Sequence, residues 1–122
     1  MVFCLQRFKS HGHYFKEKME DKIIFPVEGL DMSNYVLSKH PSDMSDAPLI
    51  YDLYAVSNHY GSLSFGHYTA YCKNPFSGKW YDYNDSSVSE LNSTDEVVSG
   101  ASYVLYYRRR DFCPDPNNID YE

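Results

Sequence analysis

Long apolar runs are missing from this chain: nothing in its 122 residues approaches the ~20 consecutive apolar positions that a membrane span needs. The start, Met1-Val2-Phe3-Cys4-Leu5 followed by Gln6-Arg7, carries no cleavable leader pattern. Cysteine is scarce as well. Cys4, Cys72 and Cys113 form an odd, widely spaced set with no Cys-x-x-Cys pair, so neither a disulfide framework nor a structural zinc site has a nucleus. The thiols read as reduced, which places the chain in cytosol or nucleus. An excess of cations is also absent: 11 Lys+Arg stand against 17 Asp+Glu, for a net charge of −6. The longest basic run is Arg108-Arg109-Arg110, read as a solvated strand end, so neither nucleic acid nor membrane is an expected partner. His11-Gly12-His13 has no third ligand at a fixed spacing and reads as a solvated loop, and His40 reads as exposed; no metal or cofactor is implied.

What is present is a folded, tyrosine-rich composition. Hydrophobic residues make up 43% of the chain, too many for a disordered segment, and 13 residues are tyrosine. Residues 2–8 (VFCLQRF) suit a largely buried strand, and a chain that opens inside a strand looks cut. Residues 9–22 read as a loop or hairpin leading to a second strand over 22–25, which Pro26 ends. Asp31 is placed to cap a short helical turn reaching Tyr35. Residues 38–48 are hydrophilic and read as a surface insertion.

The pattern sharpens from residue 49. Residues 49–58 form a long strand, 60–65 a loop flanked by Gly61 and Gly66, and 66–73 a strand. Asn74-Pro75-Phe76-Ser77-Gly78 is a turn, and 79–83 its partner strand. Ser93-Thr94-Asp95-Glu96 is a capping box opening a short helix that Gly100 closes. Residues 101–107 make a last strand, and 111–122 a loose tail.

The 74–78 turn sets Lys73 opposite Lys79. Counting back, His67 falls across from Asp85, or from Asn84 if one bulge residue intervenes. Opposed side chains have Cβ atoms ~4.5–5.5 Å apart, so a histidine meets an Asn or Asp at the open end of a hairpin. Such a pair is the base-plus-orienter half of a catalytic triad, and it is equally a satisfied polar pair at a strand end. Trp80, Tyr81 and Tyr83 read as core and sheet-face packing.

At these residues the chain resembles the ubiquitin-specific protease family of cysteine-type deubiquitinases. The resemblance rests on AVSNHYGSLSFGHYTAYCKN (55–74), GKWYDYNDSSVS (78–89), CLQRF (4–8) and ASYVLYYRR (101–109). It implies an α+β, papain-like cysteine protease fold, here mainly the antiparallel β-rich lobe. Residues 1–110 would be the C-terminal part of a catalytic domain whose N-terminal part is missing from this chain. It implies hydrolysis of (iso)peptide bonds after the C-terminal glycine of ubiquitin, with ubiquitin or ubiquitinated proteins as partners. His67 matches the general base and acid, Asn84 the residue that orients it, and Asp85 a neighbouring acid that assists. His59, Gly66 and Tyr68 match positions lining the channel for ubiquitin's tail, and 60–65 a blocking loop over it. The family's nucleophilic cysteine box, oxyanion donor and zinc ribbon have no counterpart here. Cys4 reads as inert core, Cys72 as facing away from His67, and Cys113 as part of the tail. The nucleophile is therefore expected outside this chain, which alone is expected to be inactive. A catalytically inactive ubiquitin-binding or scaffold module is the alternative.

Overall fold

The computed structural model describes residues 1–11, 15–36 and 48–111. In chain order the strands are β1 (Val2–Cys4), β2 (Phe8–His11), β3 (Phe15–Lys18), β4 (Leu30–Asp31), β5 (Ile50–Gly61), β6 (Gly66–Lys73), β7 (Trp80–Asn84), β8 (Ser87–Glu90) and β9 (Ser102–Arg109). Seven of them form one antiparallel sheet in the order β1-β9-β5-β6-β7-β8, with β4 paired to β5. β2 and β3 form a separate hairpin. Among the described residues there is no α-helix, only two 3-10 turns at Ser33–Tyr35 and Thr94–Val97.

β5 is the spine, because it pairs with β9 on one side and β6 on the other. Its Leu53 and Val56 join Phe25, Trp80, Val97, Leu105 and Tyr107 in the buried core. Burying each large apolar side chain contributes roughly 1.5–3 kcal/mol. The Tyr107 hydroxyl donates to the Pro26 carbonyl at 2.6 Å, so its polar end is satisfied, and burial pushes the phenol up to about 12.

Local chemistry explains the elements that match expectation. β6 spans the predicted 66–73. The capping box forms at both ends: Ser93 Oγ accepts from the Asp95 amide at 3.1 Å, and Glu96 Oε1 accepts from the Ser93 amide at 3.0 Å. The element it opens is a 3-10 turn that stops at Val98, ahead of Gly100. Asp31 Oδ1 accepts from the Ser33 amide at 2.9 Å, at the start of the expected turn. β8 adds to the expected elements: its four residues SVSE are all exposed, and Val88 alone is apolar, too little for a pattern.

Three expectations fail at the N-terminal end. The strand over 2–8 stops at Cys4, because Arg7 turns inward and spends its guanidinium on backbone carbonyls. β1 is a sheet edge rather than a buried strand: Phe3 is half-buried, whereas Val2 is 59% exposed and Cys4 is exposed. Residues 22–25 form no strand, although Phe25 enters the core. The basic run is also engaged rather than simply solvated. Arg110 grips Asp52 through two bonds of 2.8 and 2.7 Å, Arg109 bonds Asp111 at 2.6 Å, and Arg108 stacks 5.0 Å from the Tyr54 ring centre. Gly12, His13, His40, most of the 38–48 insertion, Cys113 and the tail after Asp111 lie outside the described residues.

Candidate active site

β5 and β6 run past their neighbours at one end of the sheet. Pairing of β5 with β9 ends at Asn58↔Ser102, and pairing of β6 with β7 ends at Ala70↔Tyr83. Beyond those points only His59↔Tyr68, Tyr60↔His67 and Gly61↔Gly66 hold the two strands together. The loop Ser62-Leu63-Ser64-Phe65 closes this overhang, with the Ser62 amide bonded to the Phe65 carbonyl at 2.7 Å. His67 therefore sits on a projecting, exposed hairpin tip.

His67 Nε2 lies 2.7 Å from Asn84 Oδ1. The register that brings them together differs by one residue from the expected one. Lys73 faces Trp80, not Lys79, and Ala70 faces Tyr83. Continuing that register puts Asn84 opposite Thr69, on the face that carries His67 two residues along β6. Diagonal neighbours on one sheet face are ~7–8 Å apart at the backbone, within reach of an imidazole and a carboxamide. Asp85 has the opposite parity and lies in the tight turn between Asn84 and Ser87, with a left-handed φ of 51°. Among the described residues no hydrogen bond joins it to His67. Because the Asn84 oxygen can only accept, Nε2 carries a hydrogen, and Nδ1 is the nitrogen left to exchange a proton. The arrangement can take up a proton at Nδ1 while Asn84 holds the ring.

His59, Gly66 and Tyr68 lie together beside this pair. The His59 ring packs 4.8 Å from Tyr68 and is 4% exposed, and a Cβ on Gly66 would overlap His59 Nε2. Phe8 and Tyr103 close the cluster at 5.7 and 5.9 Å from His59. Burial, and secondarily the nearby Lys18 ammonium, pushes the His59 imidazole below its ordinary value, so this ring is neutral near pH 7. Gly61 has a φ of 97°, which suits the turn into the loop.

The described thiols lie elsewhere. Cys72 is five residues from His67 on the same strand and so points to the other face; burial pushes its thiol up, which disfavours the reactive thiolate. Cys4 pairs with Val104 on β9, three strand spacings from β6, roughly 14 Å. No group of three or more potential metal ligands occurs among the described residues.

Two residues at this end of the sheet carry long-range bonds that the sequence pattern did not single out. Arg7 is buried under the start of β9, and Lys18 reaches the His59 carbonyl at 2.7 Å. The only advance signal is a lone arginine in the apolar stretch VFCLQRF; for Lys18, within a charged segment, there is none.

Over residues 1–107 the chain matches the sequence profile described as ubiquitin carboxyl-terminal hydrolase. It belongs to that family. Ubiquitin carboxyl-terminal hydrolase 4 of Mus musculus is 50% identical over 111 residues, which cover 91% of this chain and 11% of the relative. Ubiquitin carboxyl-terminal hydrolase 15 of Homo sapiens is 45% identical over 111 residues, with 91% and 11% covered. The chain thus spans only 11% of the length of these curated relatives. Among solved structures, the Ubp8-Sgf11-Sgf73-Sus1 SAGA DUB module aligns with a TM-score of 0.75 at 34% identity, covering 90% of this chain and 24% of that one. A SAGA DUB module bound to monoubiquitin aligns with a TM-score of 0.73 at 37% identity, covering 89% and 23%. The resemblance to ubiquitin-specific proteases therefore stands, and so does the fold class: the hydrolase-family sheet is the antiparallel β-rich lobe of a papain-like, α+β domain.

Proposed function

We propose that this chain supplies the histidine half of a thiol-dependent deubiquitinase site, with residues 1–110 as the C-terminal part of the catalytic domain. The observation that carries the reading is the 2.7 Å bond between His67 Nε2 and Asn84 Oδ1. In this reading Nδ1 of His67 takes the proton of a cysteine contributed from outside this chain. The thiolate attacks the carbonyl carbon of ubiquitin's last glycine, and the imidazolium then gives its proton to the departing lysine amine. Asn84 orients the ring without adding a full charge. Asp85 is a turn residue that shapes the end of β7 and assists only from there. His59, Gly66 and Tyr68 line the path of the ubiquitin tail under the expected blocking loop, which in the structure spans 62–65 because Tyr60 and Gly61 belong to β5. Free Cys4 and Cys72 fit a reducing compartment, cytosol or nucleus.

Two measurements test this. Ubiquitin titrated into the 15N-labelled chain is expected to shift the amides of residues 61–68; no shift there would remove ubiquitin as the ligand. An electrophilic ubiquitin probe is expected to leave the chain unlabelled. Labelling that vanishes on replacing Cys4, Cys72 or Cys113 would overturn the external nucleophile.

The orienting role of Asn84 has its own test. Mouse ubiquitin carboxyl-terminal hydrolase 4 with its matching segment exchanged for this chain provides the assay. Asn84→Ala there is expected to lower kcat by roughly 100-fold with KM little changed, because the ring loses its tautomer and orientation but ubiquitin contacts remain. Asn84→Asp is expected to retain most activity, since a carboxylate accepts the same Nε2–H. Equal losses in both variants would contradict the role.

A further inference from the structure

We infer that Lys18 is a positioning residue that braces the His67 hairpin tip from the side opposite Asn84, an inference that rests on the catalytic reading of His67. The His59 amide donates to the Ala101 carbonyl at 2.8 Å, so the His59 carbonyl points to the same edge of β5. β9 begins at Ser102 and offers no further amide along that edge. The orphaned carbonyl is taken instead by Lys18 Nζ at 2.7 Å. Backbone carbonyls withdrawn from water need such a partner.

The geometry of the β2–β3 hairpin makes this a built contact. Phe8 and Lys18 are directly paired across that hairpin. The Phe8 ring packs on the His59 ring, while the Lys18 ammonium holds the carbonyl of the same residue. The Lys18 side chain is only 8% exposed, and the Glu20 carboxylate 3.9 Å from its ammonium is 73% exposed. A lysine so withdrawn from water, with a loose ion pair, is held chiefly by the carbonyl it serves.

The brace matters because the backbone ladder of the tip is short. Since His59 bonds toward β9, Tyr60 and His67 form the last hydrogen-bonded pair of the β5–β6 ladder. A two-stranded overhang is marginal by itself. Asn84 ties it on the β7 side and Lys18 on the β9 side, so the catalytic ring is held between two anchors.

Hydrogen exchange of the 122-residue chain reads this directly. Lys18→Met keeps the aliphatic stem and removes the donor. It is expected to speed exchange of the Tyr60 and His67 amides roughly tenfold or more, while Val56 and Tyr71, on the same strands inside the sheet, stay as they were. Lys18→Arg, which can still donate to the carbonyl, is expected to restore protection to within about threefold of the parent. Unchanged exchange at Tyr60 and His67 in Lys18→Met, a uniform rise across β5 and β6, or failure of Lys18→Arg to restore protection would each overturn the brace. These readouts need no ubiquitin, so they stand or fall separately from turnover. In the exchanged-segment enzyme, Lys18→Met is expected to lower kcat with Lys18→Arg restoring it; loss of kcat in both would likewise overturn the role.

Discussion

Replacing His67 by alanine in an active enzyme carrying this segment is expected to reduce ubiquitin C-terminal hydrolysis by about a thousandfold or more. Two steps fail together. No base remains to generate the thiolate, and no acid remains to protonate the leaving amine. The side chain is exposed at the hairpin tip and belongs to no part of the buried core, so folding and ubiquitin affinity are expected to persist. The loss should therefore fall on kcat, with KM nearly unchanged. A fluorogenic ubiquitin amide measures it, and unchanged turnover would take His67 out of the reaction. The proposed role of Asn84, acting only through His67, has its own consequence: adding Asn84→Ala to His67→Ala is expected to cost little more than His67→Ala alone.

The largest loss of stability is expected at Arg7. Its side chain belongs to a residue that is 2% exposed. Nε donates to the Ser102 carbonyl at 2.6 Å, and Nη1 to the carbonyls of Met19 at 2.8 Å and Asp21 at 2.9 Å. The Met19 amide returns a bond to the Arg7 carbonyl at 2.7 Å. One guanidinium thus joins the chain after β1, the chain after β3 and the start of β9. Arg7→Ala strips the partner from three carbonyls and leaves a void the size of a guanidinium, at an expected cost of about 3–5 kcal/mol. Against a domain stability of roughly 5–15 kcal/mol, that is enough to unfold a marginal protein. Arg7→Lys keeps the charge but not the planar fork, and is expected to recover only part of the loss. Urea unfolding with an unchanged slope reads the difference from the midpoint; a wild-type midpoint for Arg7→Ala would show that these bonds are not structural.

Arg7 and Lys18 also lead from stability to the site. Both reach across from the N-terminal region to where β9 begins, Arg7 at Ser102 and Lys18 at the carbonyl of His59, whose own amide bonds Ala101. Both contacts therefore lie where the pairing of β5 with β9 ends, at the base of the His67 hairpin.

What the chain's order of residues settled by itself was local. β6, the Asp31 turn and the Ser93–Glu96 capping box follow from alternation, turn residues and side-chain caps a few positions apart, and these interactions are made within one segment. The tyrosine-rich strands and the spacing of His67 to the 84–85 pair were also enough to resemble one family, which the match over residues 1–107 supports. Strand counting left Asn84 and Asp85 both open and only the family resemblance favoured Asn84; the tertiary structure brings Asn84 to the histidine. A one-residue change in register reverses which face a side chain occupies, and here the folded turn sets it: the Asn74 amide bonds the Lys79 carbonyl while the Gly78 amide, at a φ of 70°, bonds the Asn74 carbonyl, so Lys73 meets Trp80. The tertiary structure alone exposed Cys4 on a sheet edge and withdrew Arg7 and Lys18 from water. Burial is a property of what packs from far along the chain, and a charged residue is buried only where folding has left carbonyls for it to serve.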